Sequence, residues 1–327
     1  MHGVLNLLKP PGMTSHDAVA FVRRATGIKR VGHTGTLDPA AAGALPICIG
    51  QATRLVEYLQ AGRKEYIAEA TFGYETDTLD ATGAIVSEAA AEHLTLETLR
   101  AALDLFRGTI QQTPPLYSAI KQDGKKLYEL ARAGADLTDV EIKSREVTVH
   151  RLIAARFSTH TAHPRAMLHI TCSSGTYIRS LVRDIGRVLG CGATMTFLVR
   201  TRSGSFTLDE ACTVEQIGEN VAGTVIPLSE VLRWCTHKVV IDEQAVQDLK
   251  NGRQAEIKLS SGKCDSQTVE HDVTYTFCGD QEHRDEADLQ RVLVLNEAET
   301  VAVIAVFTQS SGRSYYRADK VFNPIAP

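Results

Sequence analysis

The sequence predicts an α+β protein in two parts: a larger one that mixes strands and helices, and a smaller, strand-rich C-terminal one. Three observations carry this. The chain has 327 residues, about twice a common domain length. Segments of period-2 hydrophobicity alternate along it with segments of helical period. Beyond Phe206 the composition turns acidic, and from about Lys238 short strands and turns replace the longer elements. Hydrophobic residues make up 43% and charged residues 23%, which argues against disordered and collagenous classes. No apolar run reaches the length a bilayer needs. At the N-terminus, Lys9-Pro10-Pro11 interrupts before any signal-like apolar region develops. A cytoplasmic protein without membrane contact is expected. The seven cysteines form no Cys-x-x-Cys pair and read as free thiols in a reducing compartment. His160, His163 and His169 read as surface histidines, and no cluster suggests a metal site.

The elements follow in order. Residues 3–8 form an apolar strand ending in a Lys-Pro-Pro-Gly turn. Thr14 or Ser15 caps a helix over 17–26 that stops at Gly27. Residues 31–39 are Gly-rich and aperiodic, hence a loop. A strand over 45–49, a helix over 53–60 and an alternating strand over 64–73 come next. Residues 77–83 make a polar turn. Residues 95–106 form an amphipathic helix whose capping box looks incomplete, because Thr98 stands where Glu or Gln is usual. Residues 111–116 are a Pro-rich connection, and 117–134 are basic with a short helix near 127–133. Strands are expected over 144–157 and 166–172. A helix over 177–189 carries Ile178, Leu181, Val182, Ile185, Val188 and Leu189 on one face and ends at Gly190. A short closing element lies at 225–231. After a boundary near 236/237 come a strand from 239, a helix near 243–249, an Asn251-Gly252 turn, and a hairpin from 291–295 and 300–307. Residues 260–288 are acidic and poorly patterned, an extended loop.

The formal net charge of −4 hides a pattern. Residues 1–66, 107–171 and 172–206 are each +4, while 67–106 is −7 and 207–327 is −9. Converging in a fold, the three basic blocks would make a surface suited to a polyanion.

Gly32-His33-Thr34-Gly35-Thr36-Leu37-Asp38-Pro39 is the most informative run. Its glycines permit sharp bends or close approach of a ligand. Pro39 keeps Asp38 out of the helical region, so a carboxylate is presented stiffly beside His33. An Asx turn is the plain structural alternative. Tyr66 on its alternating strand reads first as core. Arg179 falls in the first turn of a helix, where a cation opposes the macrodipole and calls for an anion. Arg179, Arg183 and Arg187 make one stripe, with Arg187 read as solvated, Asp184 as a partial partner, and Arg183 left open.

The run Gly32–Leu45 resembles the signature of the TruB family of pseudouridine synthases. Other motifs accompany it in order: Lys9-Pro-Pro-Gly-Met-Thr-Ser15, Arg63-Lys-Glu-Tyr66, Thr76-Asp77-Thr78 with Asp80 and Gly83, Tyr117-Ser-Ala-Ile-Lys121 with Gly124-Lys125-Lys126-Leu-Tyr128, Cys172-Ser-Ser-Gly-Thr-Tyr177-Ile-Arg179, and Leu198-Val-Arg200-Thr. The resemblance implies a mixed, largely antiparallel sheet flanked by helices and loops, over residues 1–236. It implies an RNA-gripping insertion at about 112–143. Residues 237–327 are similar to a PUA-like small β-barrel, with the acidic loop as a departure. It further implies that Asp38 is the nucleophile, that Arg179 pairs with it, and that Tyr66 stacks on the base and assists the late C5 proton transfer. His33 would wedge into the RNA stack. Lys9, Tyr177, Leu198, Lys121, Lys125 and Lys126 would contact substrate or RNA.

The implied reaction is isomerisation of uridine 55 in the TΨC arm of tRNA. It needs no cofactor, no metal, no guide RNA and no protein partner, and a monomer is expected. Two readings compete: a non-catalytic tRNA-binding or folding chaperone, which would not need Asp38, and an Asp-nucleophile hydrolase suggested by Asp77 and Asp80. A third, the guide-dependent dyskerin-like branch, fits less well with the insertion and the lack of a basic tail.

Overall fold

A computed structural model describes residues 1–117, 121–122, 125–126, 142–159, 161–233, 238–256, 291–296, 302–310 and 313–322. The helix expected near 127–133, the acidic loop at 260–288 and His160 lie outside these residues.

One mixed sheet organises the larger part. Its strands lie side by side in the order Val225–Pro227, Gly3–Lys9, Ala42–Ile49, Ala193–Ser203, Lys64–Phe72, Arg165–Cys172, Arg145–Ser158 and Gly108–Gln112. Along this path every pairing is antiparallel except that of Ala193–Ser203 with Ala42–Ile49. The helix Ser15–Thr26 packs on one end through Ala18, Val19 and Val22, against Leu5, Leu7, Leu45 and Ile47. Its start is fixed by a complete capping box between Thr14 and Asp17, and its end by Gly27 in the left-handed region at φ 69°. The helices Leu96–Asp104 and Ile178–Val188 cover the other end. Ile178, Leu181, Val182 and Ile185 are buried there. Each such side chain contributes about 1.5–3 kcal/mol.

Four departures from the sequence reading have local causes. Residues 31–39 are not all loop: Val31–His33 pairs with Ile47–Ile49 as a short strand. The expected helix at 53–60 begins as a 3₁₀ turn, Gly50–Leu55, and becomes α only over Val56–Ala61. The capping box of Leu96–Asp104 is complete, because the Thr98 hydroxyl accepts from the Thr95 amide at 3.0 Å as a glutamate would. Arg187 is exposed, as read, but its hydrogen-bonding partner is Glu75, at 2.9 and 3.0 Å; Asp184 bonds Arg183 and acts on Arg187 through its charge alone.

In the C-terminal part, strands Lys238–Ile241, Arg291–Asn296, Ala302–Ser310, Arg313–Phe322 and Ala255–Glu256 form a second sheet in that order. The helix Glu243–Lys250, capped by Asp242, packs on it through Val246 and Leu249. This sheet is not an independent appendage. Leu293, Leu295, Ala302, Ile304 and Phe322 share one apolar cluster with Val4, Leu55, Leu59, Leu228, Val231 and Leu232. Around it the Arg54 guanidinium donates to the Val321 carbonyl and Tyr58 donates to Asp319. Lys320 pairs with Glu57 at 2.9 Å. Truncation after Arg233 uncovers that cluster. It is expected to lower Tm by more than about 5 °C, as differential scanning calorimetry would read; an unchanged Tm would show the shared cluster to be dispensable.

Candidate active site

The site forms where four segments meet: the loop between His33 and Ala42, strand Lys64–Phe72, the turn after Thr76, and the first turn of Ile178–Val188. Tyr177 is the N-cap of that helix but offers no side-chain cap. Gln112 holds it instead, accepting from the Tyr177 amide at 2.7 Å and donating to its carbonyl at 3.0 Å. One face of the Tyr177 ring is covered by Arg145, at 4.6 Å.

From this braced terminus Arg179 reaches back to the Gly-rich loop. Its Nε donates to Asp38 Oδ2 at 2.8 Å and its Nη2 to Oδ1 at 3.1 Å. The same guanidinium donates to the carbonyls of Thr78 at 2.9 Å and Tyr117 at 3.0 Å. Arg179 is thus the knot of three segments and is itself buried, with 6% of its side chain exposed against 28% for Asp38. This two-pronged geometry is specific to a planar guanidinium. It leaves the Asp38 carboxylate partly open to a ligand.

The Asp38 loop is held from below. Ser15 Oγ donates to the Leu37 carbonyl and accepts from its amide, both at 2.9 Å. Gly12 donates to the Pro39 carbonyl at 2.8 Å. Arg200, 1% exposed, donates from Nε to the Ala44 carbonyl at 2.8 Å, and more weakly to the carbonyls of Thr36 and Gly35. Gly43, at φ +123°, lies so close to Arg200 that a Cβ there would fall 2.3 Å from the Arg200 carbonyl oxygen. A side chain at 43 is therefore excluded both by space and by backbone conformation.

Lys9 lies deeper than the other expected site residues. It was expected at the RNA, but it is wholly buried. Its ammonium donates to the carbonyls of Met13 at 2.7 Å, Pro10 at 2.9 Å and Pro39 at 3.3 Å. It ties the N-terminal turn to the Asp38 loop. Burial pulls its pKa from 10.5 down to about 8, with the Asp38 charge resisting and the Arg200 charge assisting. Since the unfolded chain holds this proton up to a higher pH, Lys9 adds stability as pH rises from about 8 toward 10.5, and removes it on the way down. The Tm of the native protein relative to Lys9→Met is expected to rise between pH 8 and pH 10. A flat difference would mean the ammonium is not desolvated.

Tyr66 is buried, and desolvation pushes its phenol up to about 12, partly offset by the Arg200 charge and hydrogen bond. At neutral pH it is a phenol, suited to stacking and to donating a hydrogen bond and poorly suited to accepting a C5 proton. Leu198 joins the same apolar cluster as Tyr66, Leu37 and Ala41. His33 Nδ1 accepts from the Gly35 amide at 3.2 Å, and its ring meets that of His16 edge-on at 5.9 Å. Asp77 and Asp80 shape their turn: Asp80 Oδ1 accepts from the Thr78 and Thr82 hydroxyls at 2.7 and 2.6 Å. That turn holds Leu79 at φ 61° and aims the Thr78 carbonyl at Arg179. Lys121 and Lys126 face each other across a two-residue antiparallel pairing, as do Gln122 and Lys125.

Three supporting residues have no site role in the sequence reading: Arg200 stands there only within the Leu198-Val-Arg200-Thr motif, Gln112 not at all, and Ser15 only as a possible helix cap within the Lys9–Ser15 motif. An arginine in the apolar run Phe197-Leu198-Val199 was the available signal for the first. The other two carry none, since their partners lie 65 and 22 residues away.

Residues 23–178 match the family model described as TruB family pseudouridylate synthase (N terminal domain), and residues 179–233 match the tRNA pseudouridylate synthase B C-terminal domain. The tRNA pseudouridine synthase B of Symbiobacterium thermophilum is 53% identical over 225 residues, covering 69% of this chain and 74% of the relative. The chain belongs to the TruB family of pseudouridine synthases. That of Caldanaerobacter subterraneus subsp. tengcongensis is 47% identical over 251 residues, 77% of this chain and 85% of the relative. Among solved structures, a Cbf5-Nop10-Gar1 complex superposes with a TM-score of 0.68 at 23% identity, covering 99% of this chain and 85% of that one. It shares the pseudouridine synthase fold. TruB enzymes are isomerases, and Asp38 lies within the residues matched by the N-terminal family model and Arg179 within those matched by the C-terminal one. Among the described residues, no helix is long and apolar enough to cross a membrane.

Proposed function

We propose that this TruB enzyme converts uridine 55 in the TΨC arm of tRNA to pseudouridine, with Asp38 as nucleophile and without a cofactor. The observation that carries the reading is the Asp38 carboxylate gripped at both oxygens by Arg179 yet open to a ligand. The relatives named tRNA pseudouridine synthase B supply the substrate class.

The reaction breaks the N1–C1′ bond, turns the uracil and joins C5 to C1′; the C5 proton leaves and N1 takes one up, so the net change is an isomerisation. The uridine must leave its stack, at a cost of roughly a few kcal/mol. His33 fills the vacated place and Tyr66 stacks on the base; stacking recovers about 1–3 kcal/mol per base. Arg179 orients the Asp38 carboxylate through its charge and two hydrogen bonds. Tyr177 and Leu198 bound the site, and Lys121, Lys125 and Lys126 reach phosphates from the insertion at about 112–143. Residues 1–236 form the catalytic part and residues 237–327 a PUA-like RNA-binding unit. The enzyme acts as a cytoplasmic monomer, with neither guide RNA nor obligate protein partner.

Tritium release from transcripts carrying 5-tritiated uridine tests the position. Release is expected from a wild-type T-arm RNA and is expected to vanish when uridine 55 is replaced by cytidine. Equal release from both RNAs would overturn the assignment to position 55.

A further inference from the structure

Residues 18–37 contain four Lys or Arg residues and no Asp or Glu. The fold gathers these cations at one corner. Arg23 and Arg24 occupy the last turn of Ser15–Thr26, Gly27 ends the helix, and Lys29 and Arg30 lie in the loop that follows. Helix electrostatics account for cations in the last turn. They do not account for Lys29 and Arg30, which lie beyond the helix. All four side chains are exposed. Arg23 is used internally, donating to the Val31 carbonyl at 3.1 Å. Among the described residues, Arg24, Lys29 and Arg30 form no ion pair.

The corner is rigid. The Arg30 carbonyl accepts from the Gly50 amide at 2.8 Å, and Arg23 fixes Val31 from the other side. Strand Val31–His33, paired with Ile47–Ile49, runs directly from the corner to the loop bearing Asp38. At about 3.3 Å per residue, Arg30 and His33 are about 10 Å apart along the chain. Three exposed cations without an ion pair among the described residues, of which Arg24 alone feels a nearby carboxylate, that of Asp17, stand on a fixed backbone one short strand from the catalytic loop and fit a phosphodiester backbone.

We propose that Arg24, Lys29 and Arg30 form a second RNA-binding face, which takes the phosphates of the strand flanking the nucleotide in the Asp38 site. This rests on the reading of that site as one that acts on RNA. Its role is to hold the RNA in register while His33 replaces the extruded base. It takes no part in the chemical step.

The test compares the native protein with the triple variant Arg24→Gln, Lys29→Gln, Arg30→Gln. Binding of a T-arm stem-loop RNA is measured by filter retention over a series of KCl concentrations, together with tritium release. Each lost phosphate contact reduces the slope of log K against log salt by about 0.7–0.9, so the slope is expected to shrink by about 2. The kcat/KM is expected to fall at least about tenfold, with kcat at saturating RNA within about twofold. A charge-keeping variant, Arg24→Lys, Lys29→Arg, Arg30→Lys, is expected to behave as the native protein. An unchanged slope and kcat/KM in the glutamine variant would overturn the proposal, as would a loss confined to kcat. If the native protein itself neither bound nor converted the RNA, the reading of the Asp38 site would fail; native activity with an unchanged slope would sink the corner alone.

Discussion

Asp38→Asn is expected to lower kcat for uridine isomerisation by at least about 10⁴-fold, the scale seen when a nucleophile is removed. RNA affinity is expected to stay within about tenfold. The substitution is nearly isosteric, so the loop keeps its supports: Ser15 on Leu37, Lys9 and Gly12 on Pro39, and Arg200 on Ala44. What goes is the negative charge and the nucleophilic oxygen. Phosphate contacts lie elsewhere and set most of the affinity. Single-turnover kinetics and filter binding on the same preparation separate the two effects. A parallel loss of binding and turnover would remove Asp38 from the chemistry and make it a structural element of the RNA cleft.

Arg179→Lys is expected to be nearly as damaging, with kcat reduced by at least about 10³-fold, beyond the loss of one transition-state donor. A lysine ammonium cannot grip both Asp38 oxygens and also reach the carbonyls of Thr78 and Tyr117, which Arg179 serves together. Acceptors left without a donor each cost about 1–3 kcal/mol when buried. Because Asp38 is part-exposed, water relieves some of that cost, and a Tm drop of about 3–8 °C is expected. Stopped-flow turnover with a thermal melt checks both. A lysine variant of native kcat would mean that charge alone, without the fork geometry, suffices at this position.

Asp38 could be suspected from the sequence because Pro39 restricts its backbone while the glycines before it let the loop bend sharply or approach a ligand closely. Arg179 could be suspected from electrostatics alone, since a cation in a helix's first turn wants an anion. Their direct contact spans 141 positions and needs the fold. The strand Ala193–Ser203, central to the sheet, went unread for a local reason. Its register shifts twice against Lys64–Phe72, between Met195 and Phe197 and between Arg200 and Arg202. Each shift breaks the period-2 pattern by which a strand is recognised. The burial of Lys9 was not legible, because a sequence shows a charge next to a turn and not the direction in which it points. Only the fold reveals three carbonyls converging on its ammonium. The same applies to Arg187, whose partner Glu75 lies on a separate strand.

The shared apolar cluster changes the expected meaning of a truncation. Loss of the C-terminal unit uncovers Leu55, Leu59, Leu228 and Val231. A weakened truncated protein would therefore report lost packing together with any lost RNA contact, and affinity must be read beside Tm.

The most direct test of the central claim is tritium release from 5-tritiated uridine in a T-arm RNA, with native protein and Asp38→Ala side by side. The account predicts stoichiometric release by the native protein and none above background by the variant, with RNA bound by both. Binding without release by either protein would contradict it, and would leave a tRNA-binding or folding chaperone in place of the enzyme.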